Sequence, residues 1–228
     1  MTEPMPDSLL FEALTSTLFT AVVGDVLDQM GYRHQFLPPS IMPLRPSTVL
    51  AGRAMPALEM DVGGSDERLS GLADKRFGLM LEALDDLKPG EIYVATGGSL
   101  SYALWGGLMS TRALHLGAAG AILDGYIRDA REIEALGFPV FSRGLYAQDQ
   151  GPRGKVVDFR VPVTIGGVRI APGDLLFGDR EGVLVIPREA EEEAVRRALD
   201  KASAENQVAS AIRGGMSAVE AFATYGVM

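Results

Sequence analysis

The chain has no cysteine and only two histidines, His34 and His115, among its 228 residues. The first absence excludes disulfides, thiolate nucleophiles and cysteine-ligated zinc. The second excludes a three-histidine metal site, so a resident metal must be held by carboxylates and water, which favours magnesium or manganese. Positive charge is also scarce. Against 30 Asp and Glu stand 21 Lys and Arg, giving a net charge of −9 and a pI of about 4.8. No basic cluster is available to neutralise phosphates, so nucleic acid is not an expected partner. No uncharged apolar run reaches the roughly 18 residues that would span a bilayer, so no membrane partner is expected. The opening Met1-Thr-Glu-Pro-Met-Pro-Asp7 lacks the basic and apolar regions of a signal peptide. A cytoplasmic location is the resulting expectation.

What the chain does have is apolar material. The composition is 47% hydrophobic and 22% charged, with 27 glycines, enough for a sizeable core and far from a disordered balance. The length suits one domain over residues 1–228. A helical arm is expected at about 8–31, an α/β core at about 50–187 and C-terminal helices at about 189–225. In the arm, apolar residues recur at helical spacing (Leu9, Leu10, Ala13, Leu14, then Val22, Val23, Val26, Leu27, Met30) before Gly31. Residues 36–48 carry Pro38, Pro39, Pro43 and Pro46 and must be extended or loop.

The core alternates. A strand over Leu50–Leu58 precedes a helix at about Leu72–Leu84, and a short β-branched strand covers Ile92–Ala95. A helix is predicted over Ser101–Leu116, a strand over Ala121–Leu123, a helix over Asp129–Leu136 and a strand over Pro139–Phe141. That order suggests an α/β fold. From 155 to 187 the pattern becomes all strand, with Gly166-Gly167 as a two-residue hairpin turn. A long amphipathic helix from Glu189 to Arg213 starts on acidic residues that complement its dipole, and a short helix covers Ala218–Tyr225.

The chemically informative run is Gly97-Gly98-Ser99, Trp105-Gly106-Gly107-Leu108-Met109 and Asp124-Gly125-Tyr126-Ile127-Arg128-Asp129. Glycines at a helix start let backbone approach a ligand, and the free N–H groups there attract anions. A carboxylate or phosphate would sit against the amides of Gly106 to Met109; the alternative is a close-packed turn. Arg128-Asp129 follows a strand, at the carboxyl end where α/β sheets place ligands. The pair suits a fixed cation for developing negative charge beside a hard oxygen ligand for a divalent metal. The alternative is a surface helix start capped by Asp129.

Several segments together resemble one family: Thr20-Ala-Val-Val-Gly-Asp-Val-Leu-Asp28, Gly97-Gly-Ser99, Gly117-Ala-Ala-Gly120, Asp124-Gly-Tyr-Ile-Arg-Asp129 and Phe138-Pro-Val-Phe-Ser-Arg-Gly144. The run Gly173-Asp-Leu-Leu-Phe-Gly-Asp-Arg-Glu-Gly-Val183 and the ending Glu220-Ala-Phe-Ala-Thr-Tyr-Gly226 match it too. They resemble the ribonuclease-regulator-A-like (RraA-like) family, from about residue 20 to the C-terminus. That family includes 4-hydroxy-4-methyl-2-oxoglutarate aldolases, class II enzymes that release pyruvate with a divalent metal, and a non-enzymatic regulator of ribonuclease E. The resemblance implies a layered β/β/α, swivelling-domain-like fold and a homotrimer or dimer of trimers with sites at subunit interfaces. It implies that Asp129 holds the metal, Mg2+ or Mn2+, and that Arg128 stabilises an enolate oxygen. The amides of Gly106, Gly107, Leu108 and Met109 would cradle the carboxylate of a 2-oxo acid substrate. Glu205 would come from a neighbouring subunit.

One position departs from the pattern. The aldolase motif is an acidic residue, twenty residues, then Arg-Asp, and the first position here is Gly107. The missing carboxylate would orient the water that donates a proton. Asp149 and Gln150 are candidate replacements; Arg143 is a candidate for a second substrate carboxylate, and Asp124 for a supporting role. Trp105 is a candidate pocket wall, and His115 is expected at the end of an apolar helix. Three functions follow: a lyase cleaving a 2-oxo acid to pyruvate with oxaloacetate decarboxylation as a side activity, a regulatory binding protein, or a metal-dependent isomerase or hydrolase of sugar acids.

Overall fold

The computed structural model describes residues 5–62, 71–72 and 74–226. Seven helices are described: α1 (Asp7–Ser16), α2 (Thr20–Gln29), α3 (Met80–Asp85), α4 (Gly107–His115), α5 (Ala130–Leu136), α6 (Glu191–Arg213) and α7 (Ala218–Tyr225). Strands in the first half are β1 (Met42–Pro43), β2 (Leu50–Asp61), β3 (Glu91–Thr96), β4 (Ala103–Trp105), β5 (Gly120–Leu123) and β6 (Tyr126–Ile127). The rest are β7 (Val140–Ser142), β8 (Gly144–Leu145), β9 (Gly154–Phe159), β10 (Val163–Ile165), β11 (Val168–Ile170), β12 (Leu175–Asp179) and β13 (Gly182–Ile186).

The main sheet runs β1-β7-β5-β3-β2-β12-β13, with β9 also on β2. Its centre, β2-β3-β5-β7, is parallel, and its flanks are antiparallel. Central strands buried on both faces read as apolar runs rather than as alternation. On β3, Tyr93 and Ala95 join the core under α3, α4 and α5, while Ile92 and Val94 join the core under the β10–β11 hairpin. On β12, Leu175 and Phe177 pack with α1, α2 and α6, and Leu176 faces the hairpin side. The result is the layered α/β arrangement that the resemblance implied. No single described helix is long and apolar enough to cross a membrane. The bent pair α1–α2 buries Leu10, Leu14, Val22 and Val23 in the core that it shares with β12, β13 and α6.

Two expected helices are shorter than the apolar spacing suggested. Residues 103–105 form β4 where the start of a helix was expected, because Ala103 and Trp105 pair with Tyr126 and Ile127 of β6 and are buried. Helix α4 starts only at Gly107. The helix expected at about 72–84 is confined to Met80–Asp85. Gly78 has φ +64, and a Cβ there would meet the Val156 carbonyl oxygen at 2.2 Å, so the chain turns at that point instead of winding; position 73 lies outside the described residues. The predicted Gly166-Gly167 turn is present, with φ +59 and +88 between the paired Ile165 and Val168, as a two-residue hairpin requires.

Candidate active site

Beyond the main sheet, the chain adds a small parallel sheet in the order β4-β6-β8. Trp105 pairs with Ile127, and the Arg128 N–H donates to the Trp105 carbonyl at 3.0 Å. This register sets the start of α4 beside the start of α5, so Gly106 lies against Arg128 and Asp129. A Cβ on Gly106 would meet Asp129 Oδ2 at 2.7 Å and Arg128 Cγ at 3.4 Å. Only glycine allows that approach.

Asp129 occupies the N-cap position of α5 with φ 58 and ψ 35, and its side chain makes no cap hydrogen bond to α5. The capping alternative is therefore not what the structure contains. Its Oδ2 instead accepts the Gly107 N–H at 3.0 Å, at the N-terminus of the neighbouring α4. A left-handed non-glycine residue costs about 1–2 kcal/mol, and Asp is among the few that visit the region routinely. Such strain is characteristic of functional positions. It turns the carboxylate towards α4 and leaves it half exposed. The following amides, Leu108 and Met109, belong to the first turn of α4, whose N–H groups have no partner within the helix.

Arg128 is held between two carboxylates. Its Nη1 lies 3.1 Å from Asp149 Oδ1, and its Nε lies 3.8 Å from Asp129 Oδ2. Asp149 is shared with Arg76 at 3.0 Å. These groups open onto a cavity of about 410 Å³. Of the sequence candidates, Gly106, Leu108, Met109, Arg128, Asp129, Asp149, Gln150 and Trp105 line it, and Gly107 does not. Trp105 is a buried wall whose indole N–H donates to Ser110 Oγ at 2.7 Å and whose ring contacts Tyr93 and Phe138.

Glu132 was not identified by the sequence reasoning. A Cβ on Gly107 would sit 2.1 Å from Glu132 Oε2 and 2.6 Å from its Cδ. Both distances are far shorter than any non-bonded contact, so a side chain at 107 and Glu132 in this position exclude each other. The Glu132 carboxylate thus fills the space that an acidic side chain at 107 would enter. It reaches there because α5 begins at Ala130 and places Glu132 in the first turn, its N–H donating to the Asp129 carbonyl at 3.0 Å. The signal was available in the sequence: an acidic residue three positions after Asp129 shares its helix face.

Behind the cavity, Gln150 donates from Nε2 to Glu59 Oε2 at 2.8 Å. Glu59 is 2% exposed, and its Oε1 has no hydrogen-bond partner; the Tyr93 hydroxyl is likewise unpartnered. Burial, reinforced by the negative Asp61 and opposed by the Gln150 hydrogen bond, pushes the Glu59 carboxyl up to about 8. Glu59 is therefore protonated at neutral pH.

Other candidates lie elsewhere. Arg143 binds Asp124 at 2.6 Å and Ser40 at 2.7 Å, and Asp124 also accepts from Thr96 at 2.8 Å. That network joins strand ends and does not line the cavity. His115 is exposed at the end of α4. Glu205 sits on α6, 3.7 Å from Lys201, and does not line the cavity within one chain. Among the described residues no group of three His, Cys, Asp or Glu side chains is arranged to enclose a metal ion. The donors at the site are the Asp129 carboxylate, which lines the cavity, and the Glu132 carboxylate, which starts on the same helix but lies outside the cavity lining, against Gly107. Such a set fits a hard cation that keeps most of its water, as magnesium does.

Comparison with known proteins agrees with this architecture. The profile of the RraA-like family (Aldolase/RraA) matches residues 20–185. A Halalkalibacterium halodurans protein bearing the provisional name 4-hydroxy-4-methyl-2-oxoglutarate aldolase is 33% identical over 207 residues, 90% of each chain. An uncharacterized Pseudomonas syringae protein of solved structure superposes with a TM-score of 0.82 at 26% identity, over 99% of this chain and 100% of that one. A Streptomyces coelicolor protein described as an unusual member of the RNase ES inhibitor RraA family gives 0.74 at 26% identity, over 90% and 98%. The chain belongs to the RraA-like family.

Proposed function

We propose that the protein is a lyase that cleaves a 4-hydroxy-2-oxo acid to pyruvate, with oxaloacetate decarboxylation as a side activity. The observation that carries this reading is the Glu132 carboxylate over Gly107. The acidic group absent from the motif in sequence has a counterpart in space, against Gly107 and in the first turn of the helix that Asp129 starts.

The residues divide the work. The amides of Leu108 and Met109, at the positive end of the α4 dipole, receive the substrate carboxylate. Arg128, already oriented by Asp149, faces the 2-oxo oxygen, where negative charge grows as the bond to the leaving carbon breaks. A fixed guanidinium there stabilises the transition state more than the ground state. Asp129 would hold magnesium or manganese, which when bound supplies Lewis-acid polarisation of the 2-oxo group. Glu132 accepts the proton of the C4 hydroxyl, directly or through water, and returns a proton to C3 of the pyruvyl unit; such transfers are worth about 10²–10⁴-fold. The reading includes a homotrimer or dimer of trimers in which Glu205 of a neighbouring copy approaches the site.

Pyruvate release measured with lactate dehydrogenase coupling tests the proposal. Oxaloacetate and 4-hydroxy-4-methyl-2-oxoglutarate are offered with magnesium or manganese, and again with chelator. Turnover lost with chelator and in Asp129→Ala supports it. Full turnover in Asp129→Ala, or none for the wild type on either compound, contradicts it and favours the regulatory role.

A further inference from the structure

Glu59 stands where the pattern of β2 calls for an apolar side chain. Met55 and Ala57 alternate with it on the face that covers the core under α3, α4 and α5. The chain closes over it nonetheless. A Cβ on Gly97, at φ +106, would meet the Glu59 carbonyl oxygen at 2.3 Å, and one on Gly98 would lie 3.5 Å from the Glu59 Cβ. The Gly97-Gly98 pair that the sequence singled out thus packs on this residue. Burial holds the carboxyl protonated at neutral pH, at a cost in stability that an apolar residue at 59 would avoid. A buried titratable group beside a cavity is a candidate for function.

The hydrogen bond that Glu59 accepts leads to the site. Gln150 lines the cavity and donates from Nε2 to Glu59 Oε2 at 2.8 Å. Gln150 is also the pivot of its loop, because its backbone carbonyl accepts the N–H groups of Arg153 at 2.6 Å and Gly154 at 3.0 Å. On the other side, the Gln148 carbonyl accepts the Ala103 N–H of β4 at 2.9 Å. Asp149 stands between these two fixed points and holds Arg128 at 3.1 Å. Glu59 and Gln150 are 2% and 4% exposed within one chain. Their bond therefore does not depend on what covers the cavity mouth or on what Asp129 binds.

We infer that Glu59 is a positioning residue for the lyase reaction: by holding Gln150 it fixes the loop from which Asp149 aims Arg128 at the 2-oxo oxygen. This inference rests on the lyase reading above. Glu59 itself touches no substrate atom and transfers no proton. It supplies the acceptor that keeps the Gln150 amide turned inward. A buried donor without an acceptor is costly, so in its absence the amide turns towards the cavity and the loop shifts with it. A displacement of the Arg128 guanidinium by about 1 Å is enough to lose on the order of 10²-fold in rate.

The test is a double-mutant cycle on kcat/KM for pyruvate release from oxaloacetate with magnesium at pH 7. It compares the wild type, Glu59→Met, Glu59→Gln, Asp149→Ala and the combination of Glu59→Met with Asp149→Ala, each shown to be folded by its urea midpoint. Glu59→Met, of similar shape but with no acceptor, is expected to lose about 10–100-fold. Glu59→Gln returns an acceptor to Gln150 and is expected to stay within about twofold of the wild type, the margin within which independent effects add. Adding Glu59→Met to Asp149→Ala is expected to cost no more than about twofold further, because both act on Arg128 by one route. A merely structural Glu59 would give independent, additive losses. Additive losses, a Glu59→Gln as poor as Glu59→Met, or a fully active Glu59→Met overturns this inference and leaves the lyase reading standing. If Glu59→Met does not fold, Gln150→Leu breaks the same bond from its other end and is read against Asp149→Ala by the same criteria. No turnover by the wild type of oxaloacetate or of 4-hydroxy-4-methyl-2-oxoglutarate overturns both.

Discussion

Glu59 provides a stability test that needs no substrate. Its carboxyl is 2% exposed, has one hydrogen bond, from Gln150, and leaves Oε1 unpartnered. Burial raises it from an ordinary 4.5 to about 8 in the folded chain. A raised carboxyl stabilises the fold fully below 4.5, where both states are protonated. Between 4.5 and about 8 the unfolded chain loses its proton while the folded chain keeps it, so stability falls as pH rises. That interval of about 3.5 pH units, at ~1.4 kcal/mol each, amounts to a loss on the order of 5 kcal/mol. Glu59→Gln keeps an acceptor for Gln150 and cannot ionise. The variant should match the wild type near pH 4.5, exceed it by about 3 kcal/mol at pH 7 and gain no more above pH 8. Urea denaturation at a series of pH values, read as midpoint shifts at constant slope, gives both curves. Parallel curves from pH 5 to 8, or a variant weaker at every pH, would refute a neutral buried carboxyl behind the cavity.

Three further outcomes follow from the site. Gly107→Ala places a methyl group where Glu132 Oε2 lies; because Glu132 is exposed and flexible, thermal stability should stay the same or rise by up to ~1 kcal/mol, while pyruvate release falls by about 10–100-fold. Asp129→Gly should be about 1 kcal/mol more stable than Asp129→Ala in chemical denaturation, since glycine relieves the φ of 58 and alanine does not, with both inactive. Trp105 is the one tryptophan in the chain and lines the cavity, so a titration with pyruvate should change the intrinsic fluorescence saturably, and Arg128→Ala should abolish the change.

The framework was legible where periodicity and burial coincide. Strand β3 and the Ala218–Tyr225 helix lie where the pattern placed them because each has one continuous local signal. The three strands that build the site were not found as such. β4 was read as helix, and β6 and β8 are only two residues long; they exist as strands because they pair with one another, a tertiary fact. Helix α2 is similar: its N-terminus is capped not by a neighbour in sequence but by Asp179 of β12, which accepts from the Thr20 N–H and hydroxyl at 2.8 Å each. Gly106, Arg128 and Asp129, which the sequence singled out because glycine, cation and carboxylate each have a chemical signature, lie together on one cavity. Glu132 was missed because its relation to Gly107 arises only when β4–β6 pairing sets α4 against α5. Asp149 and Gln150 were named, and both reach the cavity, yet neither occupies the place of the missing carboxylate.

The central claim is that Glu132 performs from α5 the work of an acidic residue at 107. Exchanging the two positions tests it most directly: pyruvate release from oxaloacetate and a 4-hydroxy-2-oxo acid is measured for the wild type, Glu132→Ala, and Glu132→Ala combined with Gly107→Asp. The account predicts a loss of about 10²–10⁴-fold in the single variant and recovery of at least about tenfold when the carboxylate is returned at 107. A fully active Glu132→Ala, or a double variant no better than the single one, would contradict it.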